Sequence, residues 1–396
     1  MKIIQRRASN PERRAHMEEI REGLAPLLKR FPDSYWRDHD ERHVFPHEFV
    51  AAMTESGWAN VTIPEEYGGG GQGIAVAAVV MEAVGASGAA MNGCTAIHGN
   101  IFGFEPIIRY GSPELKEKYL RQAAAGSLQM AFGVTEPDAG TDTTRISTRA
   151  VKVDGGYEVR GQKVWMSKAT DSQKVLLLAR TTPREECEKP SLGMSLFVAD
   201  LDSPNVTRSA IPKAGRNAVA SCEVTFDGLF VDEADLVGVE GHGFYHLLTG
   251  LNAERVLLAA GALGIGFRAL ERARTYALER VVFERPIGMN QGVAFPLADS
   301  YARLAAAAAI TDLAADLYDA GEDCGVEAAM AKYLAADAGY QSADRAVQTH
   351  GGFGYAKEYD VERYWREARV HRLAPLSQEF ALNHMATRAL GLPRSF

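Results

Sequence analysis

The stretch LLTGLNAERVLLAAGALG, residues 247–264, spaces its apolar residues on a helical period and predicts a buried helix with one charged pair at its centre. On that period Glu254 shares a face with Leu247, Gly250, Leu251, Leu257 and Leu258, which sets a carboxylate on an apolar stripe. Arg255 points elsewhere, because residues one apart on a helix do not face each other. An apolar setting raises the pKa of a carboxyl, which suits a general base near neutral pH. A structural ion pair or a solvated carboxylate at a groove accounts for the same residue. Its role therefore depends on the rest of the chain.

Helical patterns continue after this stretch, over 247–277, 296–320, 326–349 and 379–390. Pro296 suits the first turn of its helix, where a missing N–H costs little. The alanine run 305–309 suits close helix packing. Before residue 239 the pattern has a period of two. Val151, Val153, Tyr157 and Val159 alternate on either side of Asp154, Gly155 and Gly156, a hairpin signal. Residues 174–181, 194–201 and 222–226 read as further strands, and 183–190 as a polar surface loop. Up to residue 127 the chain reads as helical, with helices over 11–31, 46–57, 74–90 and about 100–110. Gly111, Ser112 and Pro113 break the last of these before ELKEKYLRQAAAG, and IPEEYGGGGQG (63–73) is a loop. The expected class is α+β: a helical domain over 1–127, a β domain over 128–238 and a helical bundle over 239–396.

The chain has 396 residues, 46% hydrophobic, enough for two or three domains with a large core. A net charge of −8 without a long basic run argues against nucleic acid as a partner. Cys94, Cys187, Cys222 and Cys324 are scattered, which predicts reduced thiols, a cytoplasmic location and no metal site. The N-terminal MKIIQRRASNPERRAHMEEI lacks the apolar core of a signal peptide, and no apolar run is read as long enough to span a membrane.

Four stretches offer chemistry. FGVTEPDAGTDTT (132–144) supplies backbone N–H groups and hydroxyls in a loop shaped by Pro137 and Gly140, able to contact a flat ring or phosphates or to be an ordinary polar turn. In GQKVWMS (161–167), Trp165 and Ser167 stand two apart along a strand and so project to one side. YALERVVFERPIGMNQ (276–291) puts Arg280 and Arg285 at a helix end that Pro286 stops; they either hold a diphosphate or cap the helix. QTHGGFGY (348–355) ends another helix with glycines that permit close backbone approach or a C-cap.

In this order, IPEEYGGGG, RYGSPELKEKYL, VTEPDAGTDT, GQKVWMS, YALERVVFERPIG and QTHGGFGY resemble the motifs of the acyl-CoA dehydrogenase family along nearly the whole chain. The resemblance implies an N-terminal helical domain, a middle β-barrel-like domain and a C-terminal four-helix bundle. It implies one FAD per subunit, a homotetramer more often than a dimer, and a role in fatty acid metabolism. By position, Phe132, Val134, Thr135, Gly140 and Thr141 are implied along the flavin and the pantetheine entrance, with Trp165 packed on the ring and Ser167 near its N5 edge. Arg280, Phe283, Gln291, Gln348 and Gly352 are implied at the adenine-diphosphate half of a neighbouring subunit's FAD. Thr141, Leu251, Asn252 and Arg255 are implied around the acyl-CoA substrate. The implied reaction is α,β-dehydrogenation: a carboxylate takes the α-proton, the β-hydrogen leaves as hydride, and electron-transfer flavoprotein reoxidises the flavin.

Most members keep the base in a YEGTSE-type loop near the C-terminus. Here that loop reads REARVHRLAPLSQEF, with Pro375 in the glutamate's place and Ser377 and Glu379 as remaining flavin contacts. A minority, including isovaleryl-CoA and long-chain acyl-CoA dehydrogenases, carries the base on the helix quoted first, as a Glu-Arg pair that Glu254–Arg255 matches. Glu254 is thus the expected base and Glu379 the alternative. Pro375 also removes a backbone N–H expected to bond the thioester oxygen. A flavin-dependent oxidase or monooxygenase on the same fold, and a non-catalytic flavin- or acyl-CoA-binding protein, remain as alternatives.

Overall fold

The computed structural model describes residues 11–394; the first ten residues of the basic N-terminal stretch lie outside them. The chain opens with helices α1 (Pro11–Lys29), α2 (Asp33–Arg42) and α3 (His47–Glu55). The spacing does not predict α2, because DSYWRDHDER has no apolar period; burial of Trp36 and Asp40 holds it in place. The single helix that the spacing predicts over 74–90 is broken. α4 (Ile74–Val84) and α5 (Ala90–Phe102) meet at a break where Gly88 adopts φ 105°, a conformation open to glycine at little cost. α6 (Glu105–Tyr110) follows. Ser112 then caps α7 (Pro113–Ala124), its hydroxyl accepting from the Leu115 N–H at 3.1 Å.

The middle of the chain is one sheet of β1 (Met130–Gly133), β2 (Arg149–Val153), β3 (Gly156–Ser167), β4 (Lys174–Arg180), β5 (Met194–Asp200), β6 (Val206–Ala210), β7 (Ser221–Asp232) and β8 (Leu236–Val237). Its order is β6-β7-β3-β2-β4-β5-β8, with β1 parallel to β4. The expected hairpin joins β2 to β3, with Gly155 at φ 72°. β4 and β5 are buried along nearly their whole length, which is why they read as continuous apolar runs.

α8 (Gly243–Glu279) is a single helix of 37 residues, about 55 Å long. It ends before Arg280 rather than at Pro286. The residues between form a small hairpin of β9 (Val281–Val282) and β10 (Arg285–Pro286), turned by Phe283 and Glu284 at φ 50° and 64°. Two successive left-handed residues make the turn that matches the twist of a hairpin. α9 (Gln291–Asp319) starts one turn earlier than the sequence suggests, so Pro296 is interior and forgoes the bond to the Gly292 carbonyl. α10 (Gly325–His350), the short α11 (Val361–Ala368) and α12 (Gln378–Arg388) complete the bundle. α8 and α10 run parallel and touch through glycines: a Cβ on Gly266 would stand 2.9 Å from the Gly339 Cα.

Two helical stretches, Ile74–Tyr110 and Gln291–Asp319, are long and apolar enough to cross a membrane, contrary to the expectation from sequence. The first is broken into separate helices and mostly buried, whereas α9 turns much of its apolar surface outward. One core cluster joins the N-terminal helices to α8, α9 and α10, so α8 is the shared wall of both helical regions.

Candidate active site

The face of α8 that carries Glu254 packs on α5, and the two helices run antiparallel. Phe102 of α5 lies against Gly250, where a Cβ would be 3.2 Å from its ring, and Cys94 lies against Gly261, where a Cβ would be 3.6 Å from its sulfur. Glu254 stands between these contacts, on the same face as both glycines. It keeps partial solvent contact, yet protein encloses it: desolvation raises its carboxyl to about 7, against a smaller opposing effect of Arg255. Arg255 turns away, buried, and donates to Asn252 Oδ1 at 2.8 Å. Its Nε has no partner among the described residues. Leu251 and Asn252, one turn earlier, are half-buried.

Phe132 connects this seam to the sheet. Its ring lies 5.4 Å from that of Phe102. The loop that follows is held by a buried ion pair that sequence reasoning missed. Lys163 Nζ donates to Glu136 Oε1 at 2.8 Å and to the Val134 carbonyl at 3.0 Å, while Ser147 and Thr148 N–H groups donate to the same carboxylate. Burial opposes the charge on Glu136, but Lys163 and these donors outweigh it and hold the carboxyl at about 2. The signal available in the sequence was a lysine in phase with the apolar Tyr157 and Val159 of its alternating strand.

Beside Val134 the strand β3 bulges. Lys163 to Met166 spans three steps against two on β7, from Val224 to Cys222, and Trp165 takes φ 60° in the extra step. Its indole is 55% exposed. The Val164 N–H donates to the Thr135 carbonyl at 2.9 Å, so Thr135 stands beside the bulge that carries Trp165, and Ser167 ends the same strand. Behind them are two cations whose hydrogen-bond partners are all neutral. Lys168 Nζ donates to Ala96 O, Asn100 Oδ1 and Gln129 Oε1, and Arg216 donates to the Ser167 and Ser221 hydroxyls at 3.5 and 3.3 Å. Gly140 and Thr141 are exposed, and a Cβ on Gly140 would meet open space.

The C-terminal loop reaches the same region through Lys332 of α10, a buried lysine also missed in the sequence. Its ammonium donates to the Leu376 carbonyl and, at 3.2 Å, to Gln378 Oε1. Pro375 has no N–H, and Leu376 is the next residue with one to offer. Ser377 caps α12, its hydroxyl accepting from the Phe380 N–H at 3.2 Å. Glu379 is exposed, and its own backbone N–H and Ser377 hold its carboxyl below the usual range.

The remaining predicted residues gather elsewhere. Arg280, Phe283, Gln291, Gln348 and Gly352 are all exposed at the far end of the bundle, where Tyr276 stacks on His350 at 4.2 Å. From Glu254 to Arg280 along α8 is about 39 Å.

The family description "Acyl-CoA dehydrogenase, N-terminal domain" matches residues 14–127, the middle domain 131–229 and the C-terminal domain 241–390. Acyl-CoA dehydrogenase FadE12 of Mycobacterium tuberculosis (strain ATCC 25618 / H37Rv) is 38% identical over 384 residues, 96% of this chain and 97% of that protein. The chain belongs to the acyl-CoA dehydrogenase family. Among solved structures of this fold, a glutaryl-coenzyme A dehydrogenase in complex with glutaryl-CoA aligns at 28% identity and TM-score 0.88, over 98% of this chain and 97% of that one. The FAD complex of PigA aligns at 26% identity and TM-score 0.89, over 97% and 99%. As an acyl-CoA dehydrogenase family member the protein is an FAD-binding oxidoreductase. Its residues fit the cofactor: an exposed indole, neighbouring hydroxyls and two neutral-partnered cations suit a flat ring with electron-rich carbonyl oxygens.

Proposed function

We propose that this protein dehydrogenates an acyl-CoA thioester to the 2-enoyl-CoA, with Glu254 as the base that takes the α-proton. The observation that carries the reading is the enclosed carboxylate of Glu254 on the α5–α8 seam, raised to about 7, while the C-terminal loop offers a proline. Such a carboxyl is ionised in substantial part near neutrality and basic enough to accept a proton. Glu379, exposed and of lowered pKa, is the poorer base. In this reading Phe132, Val134, Thr135, Gly140, Trp165 and Ser167, with Ser377 and Glu379 of the C-terminal loop, line the flavin end. Thr141, Leu251, Asn252 and Arg255 line the thioester. FAD, when bound, supplies the two-electron acceptor. Around it the chain's own groups orient the ring, exclude water and hold the proton at the Glu254 carboxylate.

The group at Arg280, Phe283, Gln291, Gln348 and Gly352 stands too far along α8 to serve the same FAD, so we assign it to the cofactor of a neighbouring subunit. The outer face of α9 supports assembly: Phe295, Ala302, Ala306, Ala309 and Leu313 are exposed on one side of it. A homotetramer passing electrons to electron-transfer flavoprotein in the cytoplasm is the assembly we infer.

Anaerobic addition of short, branched, cyclic and long acyl-CoA thioesters should bleach the bound flavin for at least one of them. Glu254→Gln should keep FAD and lose nearly all α-proton exchange. Near-normal exchange in that variant would move the base to Glu379.

A further inference from the structure

The α5–α8 seam carries polar atoms that dehydrogenation does not use. Thr95 and His98, one turn apart, share the face of α5 that carries Cys94 and Phe102. Those two side chains meet α8 at Gly261 and Gly250, so Thr95 and His98 occupy the same length of the seam as Glu254. The Thr95 hydroxyl is buried, with 7% of the residue exposed, and has no hydrogen-bond partner among the described residues; neither has Nε2 of His98. Thr311, Ser342, Thr349 and Thr387 each bond the carbonyl four residues back in their helices. Thr95 does not. Folded proteins rarely leave such atoms unpaired, and these stand beside the site where the acyl chain must lie for Glu254 to reach it.

The local charge narrows the partner. Burial, with Lys168 and Arg216 adding to it, keeps the His98 imidazole neutral, its pKa brought down to about 4. A neutral imidazole and a hydroxyl can each donate or accept one bond here. Two cations nearby favour an oxygen atom over an ammonium group.

We propose that the acyl chain oxidised at Glu254 carries an oxygen function beyond its β-carbon, a hydroxyl, carbonyl or carboxylate, received by the Thr95 hydroxyl and His98 Nε2. The inference rests on the dehydrogenase reading above and narrows its substrate class. The test uses the FAD-loaded protein and pairs of acyl-CoA thioesters, each unsubstituted chain against the same chain with one such oxygen. Anaerobic flavin bleaching gives kcat/KM, and calorimetric titration of Glu254→Gln gives binding without turnover. At least one oxygenated chain should be favoured by about tenfold in both, the effect of one well-made buried hydrogen bond. Thr95→Val, which keeps the shape and removes the hydroxyl, should bring that ratio close to unity, and His98→Phe should reduce it as well. Unsubstituted chains that match or exceed every oxygenated partner would overturn the proposal and leave the dehydrogenase reading standing, with water as the partner of Thr95. A preference that both variants leave intact would overturn it too. Bleaching by no thioester of either kind would remove both readings.

Discussion

Glu254 shows how far one residue's surroundings set its chemistry. The same side chain on an open helix face would be an ordinary carboxylate; enclosed between α5 and α8 its carboxyl moves up to about 7. A base works in its ionised form, so kcat/KM is expected to rise with pH through about 7 and level off above it. A profile already flat in the ordinary carboxylate range would remove Glu254 from the role. The spacing in the sequence made this residue legible, because its stripe is apolar and Pro375 leaves the usual place empty. Glu136 and Lys163 were not legible in the same way. Each is an ordinary charge in its own segment, and only the pairing of β1's loop with the bulged strand β3 buries them together. Thr95 and His98 likewise gain meaning only once α5 is laid against α8.

At the scale of elements, the long helices were readable because their apolar residues repeat over many turns. What escaped were α2 and α11, short and rich in charge, whose few buried apolar residues (Trp36; Val361, Tyr364 and Ala368) are joined by ion pairs to the rest of the molecule. Asp33 of α2 meets Arg268 and Arg272 of α8 and the Tyr364 hydroxyl of α11; Asp40 meets Arg366 at 3.1 Å. The break between α4 and α5 escaped because glycine and alanine keep a helical appearance in sequence whichever angles they adopt. The parallel contact of α8 and α10 rests on glycine in a different sense, as absent volume. A Cβ on Gly339 would stand 2.5 Å from the Ala262 carbonyl oxygen. Gly339→Ala should therefore cost about 1–3 kcal/mol or more of stability, read from urea unfolding. An unchanged midpoint would mean that the two helices can part without penalty.

Across the whole molecule, the three regions are tied by charges that respond to acid. Burial pushes the Asp33 carboxyl up, but Arg268, Tyr364 and Arg272 outweigh it and hold the group below its ordinary value; Asp40 behaves alike through Arg366, Asn92 and Asn217. Where the folded pKa is the lower, the unfolded chain binds more protons in acid, so stability rises with pH there. The melting temperature should accordingly fall as pH drops below the ordinary carboxylate range toward the folded values. A melting temperature indifferent to that range would show that these pairs contribute little. Glu367 has the opposite sign: burial raises it to about 7, and its contribution is lost as pH climbs toward that value. Assembly is tested on α9, where Leu313→Glu should lower the mass seen by light scattering and reduce the FAD retained per chain. Retention of both would clear this face of any part in subunit packing. The unbroken length of α8 then has a practical corollary. One rod carries the proposed base near its start and, past its end, the residues assigned to another subunit's FAD. On that arrangement, dilution alone should free FAD into solution with no denaturant present, and the yellow that stays with the protein after gel filtration becomes a count of intact neighbours.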